Sequence, residues 1–323
     1  MKHTVAFIGL GVMGQRMLAN MYKIGGFEMI GGWDPNPDAC ADARALVPNF
    51  PIADNPESLI TAPNVDLVYI ACPPAHHKQY ATAAITAGKA IYCEKPLGID
   101  IEESCALVEA VEAAGTIHCV NFSLATAAAV EYIEHGLKDG SIGDVLGVDV
   151  YLHFNKWPRD WQVPAAWLSD RAEGGFVRET FSHYAYLVQR LFGPVTIKNA
   201  YSRYPDDDVS AEVQSMAALD CNGIPISFMG GVGGLNSSGA DRVEFTVWGS
   251  NGAYQLYDWC RIRTHTGKGW VEQLTELGDL REEGYRRALS NVGKLMQGKT
   301  HVMPSFRDAL GVQQIVEGIL ERK

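Results

Sequence analysis

No run in this chain is apolar for long enough to cross a bilayer as a helix. Basic charge is also scarce. Lys and Arg number 27 against 38 Asp and Glu, for a formal net charge of −11, which argues against a nucleic-acid partner. Cysteine is sparse and odd in number: seven, with no C-x-x-C pair and no His/Cys/carboxylate cluster at zinc spacing. His76 and His77 are adjacent and would point apart on a helix. No metal site is expected. The thiols read as reduced and structural, and the protein as cytoplasmic. Lys2 and His3 precede an apolar run, but glycines interrupt it and no small-x-small cleavage site follows, so a secretory leader is not expected. There is no internal repeat, low-complexity tract or long linker.

What is present is length and pattern. The 323 residues, 47% hydrophobic, suggest two domains. The apolar run Thr4–Ile8 leads into Gly9-Leu10-Gly11-Val12-Met13-Gly14, a G-x-G-x-x-G between a strand-like and a helix-like segment. Gly9 would make the turn off the strand. Gly11 would admit a pyrophosphate, and Gly14 would let the helix pack close with its N-terminal N–H groups facing the anion. Asp34 stands 20 residues after Gly14, at the end of the second strand-like run. A carboxylate there can accept from both ribose hydroxyls and would repel a 2′-phosphate. NAD is therefore expected in preference to NADP. The alternative is that Asp34 only starts the turn Asp-Pro-Asn-Pro.

Strand-like segments (Val5–Gly9, Met29–Trp33, Leu67–Ala71, Ala90–Cys93, Ile117–Asn121) alternate with helical ones (Met13–Ile24, Asp38–Leu46, His76–Ala87, Ile101–Ala114). The strands are nearly continuous in apolar residues, as in a parallel sheet covered on both faces. The pattern predicts an α/β domain, a Rossmann doubly wound parallel sheet over 1–122. Ala125–Lys138 reads as one more helix. Strands then dominate: Val145–Phe154, Thr196–Tyr204, Val213–Leu219, Ile224–Gly230, Arg242–Trp248, Ala253–Leu256 and Val271–Leu274. This predicts an α+β domain with a large, open, mainly antiparallel sheet over 123–304. An amphipathic helix, Ser305–Arg322, closes the chain within 305–323 and could pack back on the first domain.

Cys93-Glu94-Lys95-Pro96-Leu97 directly follows a strand candidate, so Lys95 would sit at the carboxyl-end crevice where ligands of open α/β sheets bind. A lysine there can favour loss of a proton from a substrate hydroxyl. The plainer reading is a loop lysine paired with Glu94. Lys156–Arg178 concentrates Trp157, Trp161 and Trp167 with Lys156, Arg159, Arg171 and Arg178. Such a cluster suits an anionic or bulky glycosidic substrate. Alternatively, its arginines pair with Asp160, Asp170 and Glu173.

Cys72-Pro73-Pro74-x-x-His77 with Glu94-Lys95-Pro96-Leu97 resembles the glucose–fructose oxidoreductase/inositol dehydrogenase (Gfo/Idh/MocA) family. Trp167-Leu168-Ser169-Asp170 and Gly174-Gly175-Phe176-Val177-Arg178-Glu179-x-x-x-His183 resemble a second, more degenerate motif of that family. The likeness covers essentially the whole chain. It implies an NAD(P)-dependent dehydrogenase or reductase acting on a sugar, cyclitol or related hydroxyl, and a homodimer or homotetramer formed through the open sheet. Lys95 then matches a catalytic lysine and His183 a general acid/base. Glu179 stands where most members carry Asp and, four residues before His183, would share its face of a helix and one pocket with Lys95. Cofactor contacts are implied for Gly9, Gly11, Val12, Met13, Gly14, Asp34, Cys72, Pro73, His77, Glu94, Lys95 and Asn121. Substrate contacts are implied for Lys95, Trp161, Arg178, Glu179 and His183. Tyr186 replaces a common Asp, and no Arg follows Asn121. A redox-neutral glycosidase and a non-catalytic NAD-sensing regulator are the competing readings.

Overall fold

The computed structural model describes residues 2–234 and 241–321. The chain divides into two compact units: Met1–Phe122 with Tyr285–Gly311, and Ser123–Gly284 with Val312–Lys323. The first continuous stretch of the second unit thus runs to Gly284. The closing helix, Phe306–Leu320, has residues in both units, and Arg322 of the expected helix lies outside the described residues.

The first unit is built on five parallel strands: β1 (His3–Ile8), β2 (Phe27–Trp33), β3 (Leu67–Ile70), β4 (Ala90–Glu94) and β5 (His118–Asn121), in spatial order β2-β1-β3-β4-β5. Phe7, Tyr69 and Tyr92 are fully buried from one strand to the next, which is why these strands read as unbroken apolar runs. The order reverses between β1 and β3, and at such a switch point the carboxyl ends of the strands open a crevice. Helices α1 (Val12–Ile24), α2 (Pro37–Leu46), α3 (Pro56–Ile60), α4 (His77–Thr86) and α5 (Ile101–Ala113) supply the connections. Asn36 caps α2 ahead of Pro37, and Asp100 caps α5.

The second unit opens with α6 (Ala128–Lys138) and carries eight strands: β6 (Val145–Phe154), β7 (Val195–Arg203), β8 (Gln214–Cys221), β9 (Ile224–Val232), β10 (Arg242–Gly249), β11 (Ala253–Tyr257), β12 (Arg261–His265) and β13 (Trp270–Gln273). Their order is β13-β12-β11-β10-β6-β9-β8-β7, antiparallel except for β6 against β9. Alternate residues Val148, Val150, Leu152 and Phe154 of β6 are buried with Val243, Phe245 and Val247 of β10. Helix α7 (Ser182–Phe192) supplies Tyr184, stacked near Phe245. The preceding residue Phe181 stacks on Phe228 with ring centroids 3.9 Å apart. Burying a ring of that size contributes about 1.5–3 kcal/mol. The opposite face exposes Tyr201, Met216, Met229 and Trp248, while Thr246 and Gln255 on that face are buried. Two further helices, α8 (Leu280–Met296) and α9 (Phe306–Leu320), complete the chain.

Candidate functional site

The three motif glycines have different physical reasons. Gly9 adopts φ +97°, and a Cβ there would lie 2.6 Å from the Ala71 backbone. A Cβ on Gly14 would lie 2.1 Å from the Gly9 carbonyl oxygen. Packing alone therefore demands glycine at both positions. A Cβ on Gly11 would meet no atom within 4 Å. The protein itself does not explain glycine there, whereas a pyrophosphate approaching the backbone would. Gly11 is the N-cap of α1. No side chain caps this helix and its first turn holds no acidic residue, unlike α2 and α5. The leading N–H groups around Val12 and Met13 are thus left for an anion. These residues fit a dinucleotide.

Asp34 directly follows β2 and does two jobs. Its Oδ2 accepts the N–H of Leu10 at 2.7 Å, bracing the glycine turn, and its Oδ1 accepts the N–H of Asn36 at 2.8 Å. The turn reading and the ribose reading are compatible, since each carboxylate oxygen has a second lone pair. Cys72 and Pro73 follow β3, the first half-buried and the second exposed. Burial pushes the Cys72 thiol up to about 12, so it is not a nucleophile at neutral pH.

Three residues expected at the cofactor are buried and hydrogen-bonded within the protein. His77 is fully buried, with Nδ1 2.8 Å from the Pro96 carbonyl and Nε2 2.9 Å from the Cys72 carbonyl. It clamps the loop after β3 to the loop after β4. Burial pushes its imidazole down to about 4, so the ring is neutral and donates to one of the two carbonyls. Glu94 ends β4, buried, and its Oε1 accepts from the Tyr69 hydroxyl and from Asn121 Nδ2. The Asn121 Oδ1 in turn accepts from Tyr92 at 2.7 Å. Burial, then the Glu94 charge, holds the Tyr69 phenol well above its ordinary range, so it remains a donor. Tyr69 and Tyr92, read from sequence only as strand residues, thus complete a polar floor beneath the carboxyl ends. Glu94 Oε1 is thereby engaged in this floor. Lys95 itself is largely buried, immediately after β4 and before a cis peptide to Pro96.

In the second unit Glu179 lies in a π-helical turn, Val177–Phe181, that runs into α7, and His183 is the second residue of that helix. The Ser182 N–H donates to the Val177 carbonyl, one residue further back than in an α-helix. Such turns appear often at functional sites. The turn is held from outside. Glu212, buried, accepts the Val177 N–H at 2.8 Å, and a Cβ on Gly175 (φ +97°) would lie 2.2 Å from the Glu212 carboxylate. Sequence reading missed Glu212; an acidic residue inside an otherwise β-like stretch was the available signal.

The cationic cluster is engaged within the protein. Arg178 donates from Nε and Nη2 to both oxygens of Glu317 at 2.7 Å, and from Nη1 to the carbonyls of Arg171 and Gly174. These contacts within the protein engage all three guanidinium nitrogens of a largely buried side chain. Arg159 lies 4.8–5.5 Å from the rings of Phe154, Trp157, Trp161 and Trp259, and 3.5 Å from Asp241. Arg171 stacks over Tyr204, and Lys156 pairs with Asp160. Asp160, read from sequence as an arginine partner, thus pairs with Lys156 instead. Trp161 is 40% exposed.

A glycine turn with an open Gly11, an uncapped α1 and a carboxylate after β2 define a dinucleotide-binding α/β protein joined to a second, sheet-bearing unit. The chain belongs to the Gfo/Idh/MocA oxidoreductase family. Residues 3–122 match its NAD-binding Rossmann fold and residues 135–322 its C-terminal alpha/beta domain. It is 31% identical to levoglucosan dehydrogenase of Pseudarthrobacter phenanthrenivorans over 52% of this chain and 43% of that protein. It is 29% identical to 1,5-anhydro-D-fructose reductase of Ensifer adhaerens over 54% of this chain and 49% of that one. It is 34% identical to inositol 2-dehydrogenase of Rhodococcus erythropolis over 34% of this chain and 32% of that one. The matched stretches thus span half or less of these curated relatives. A solved levoglucosan dehydrogenase, in complex with NADH and levoglucosan, superposes with a TM-score of 0.87 at 22% identity over 99% of this chain and 97% of that one, a likeness of fold. No helix among the described residues is long and apolar enough to cross a membrane.

Proposed function

We propose that this protein transfers hydride between NAD(H) and a hydroxyl or carbonyl carbon of a neutral sugar or cyclitol. The observation that carries the reading is Gly11, at the uncapped start of α1, where a Cβ would meet no protein atom and a bound pyrophosphate would find room. Bound NAD would supply the hydride acceptor. The chain's own residues supply the rest. His183 takes the hydroxyl proton, since an oxidised carbon that kept it would be a protonated carbonyl. Lys95 offers a positive charge to the oxygen as it gains alkoxide character. Glu179 orients the reacting groups. An anionic substrate was suggested by the arginine cluster, but Arg178, Arg171 and Lys156 have partners within the protein, which favours a neutral one.

The open face of the large sheet supports a homo-oligomer. Tyr201, Met216 and Met229 lie side by side across β7, β8 and β9, each 37–48% exposed, and Trp248 is on the same face. All seven cysteines are free, which favours a reducing compartment such as the cytoplasm.

The test is turnover of levoglucosan, myo-inositol and 1,5-anhydro-D-fructose with NAD(H) and NADP(H), followed by nicotinamide absorbance. Turnover favouring NAD(H), lost in Lys95→Ala and His183→Ala, is expected. Tight NAD binding without turnover of any of the three would contradict the reading.

A further inference from the structure

One buried side chain in the second unit bridges Arg159 and Glu179. Gln162 is 1% exposed, so it cannot touch a substrate. Its Oε1 accepts twice from Arg159, from the backbone N–H at 3.2 Å and from Nε at 2.8 Å. Both lone pairs of that oxygen are then used, which fixes which way the amide faces. The Nε2 end must point the other way, and there it donates to Glu179 Oε1 at 3.2 Å. Arg159 is itself fixed by the four aromatic rings and Asp241 around it. An arginine stacked this way holds its geometry as lysine could not.

We propose that Gln162, oriented by Arg159, is a positioning residue that aims the Glu179 carboxylate in the hydride-transfer reaction. The inference rests on the role given to Glu179 above. It also explains how the longer Glu side chain is used. The additional methylene gives the carboxylate more freedom than an aspartate would have, and a charge-assisted amide donor from a rigid support removes that freedom. The π-turn fixes the backbone of Glu179, and Gln162 fixes its tip.

Two substitutions separate positioning from bulk. Gln162→Met keeps the volume and removes the donor. Gln162→Glu keeps an acceptor for Arg159 but faces Glu179 with a carboxyl group, which donates only when protonated. Steady-state kinetics would use the compound among levoglucosan, myo-inositol and 1,5-anhydro-D-fructose that the parent turns over fastest. Gln162→Met is expected to lose about 10- to 100-fold in kcat, the scale of a small misplacement, with the KM for NAD unchanged. The Gln162→Glu activity, divided by that of the parent, is expected to rise as pH falls, while the same ratio for Gln162→Met stays flat. In the ¹⁵N-labelled protein the Gln162 side-chain amide signal is expected to move on Glu179→Gln, with no turnover needed.

A Gln162→Met enzyme with parental kcat, equally flat ratios for both variants, or an unmoved amide signal would overturn the proposal. Lys95→Ala and His183→Ala run in the same assay. If they keep full activity, the hydride-transfer reading fails on its own account, whatever the amide signal shows.

Discussion

Asp34 and Leu10 are joined by a 2.7 Å hydrogen bond, from the Leu10 N–H to Oδ2, so the residue that would hold the ribose also shapes the turn that would hold the pyrophosphate. Asp34→Ala removes both the brace and the acceptor. Hydrogen bonds to a charged group are worth about 1.5–3 kcal/mol, so NAD binding is expected to weaken by about 10- to 100-fold. NADP binding should weaken less, because the repulsion of its 2′-phosphate disappears. Titration of intrinsic fluorescence with each cofactor checks the ratio. Equal losses for both cofactors would remove Asp34 from ribose recognition.

The glycines predict a clean separation of effects. Gly9→Ala and Gly14→Ala drive a Cβ into backbone atoms, and each is expected to destabilise the fold by about 1–3 kcal/mol or more. Gly11→Ala meets open space, so its melting temperature should match the parent while its affinity for NAD falls. Thermal melts with and without NAD report both quantities in one experiment.

Arg178 and Glu317 form a buried bidentate pair. Removing one partner strands the other charge, and Arg178→Ala is expected to cost about 3–5 kcal/mol by urea denaturation. A substrate KM that rises while stability is unchanged would place Arg178 at the substrate site.

Glu212 carries a pH dependence that can be isolated by difference. Burial pushes its carboxyl up to about 7 from the ordinary 4.5, against the lowering effect of Arg178, while Glu317 adds to the rise. Tyr204 also faces this group. The folded protein therefore holds this proton more tightly than the unfolded chain. Its contribution is full below pH 4.5 and declines as pH rises to 7. A shift of this size corresponds to about 3 kcal/mol. Glu212→Gln should flatten that decline, so its stability relative to the parent should grow from acid to neutral pH. Parallel stability profiles for the two proteins would contradict this.

Much of the fold was readable because burial leaves a periodic mark. The inner strands of the first unit are apolar throughout, and β6, β8 and β10 alternate. Elements with few buried residues escaped. In β12, Arg-Ile-Arg-Thr-His buries only Ile262, and α8 buries only Ala288, Leu289 and Val292 among charged neighbours. At the site, motifs located residues at strand ends but not which way they face. His77, Glu94 and Asn121 stand at the strand ends and are buried, each with hydrogen-bond partners within the protein. The π-turn has no sequence signature of its own. The Glu212 carboxylate that holds it comes from 35 residues away from Val177.

Hydride transfer is most directly tested by following the hydrogen itself. Levoglucosan and myo-inositol, each fully deuterated at its carbinol carbons, would be incubated with the protein and NAD, and the nicotinamide product examined by mass spectrometry. The account predicts deuterium on the reduced cofactor from at least one of them, and none with Lys95→Ala or His183→Ala. Bound NAD that gains no deuterium from either compound would contradict it.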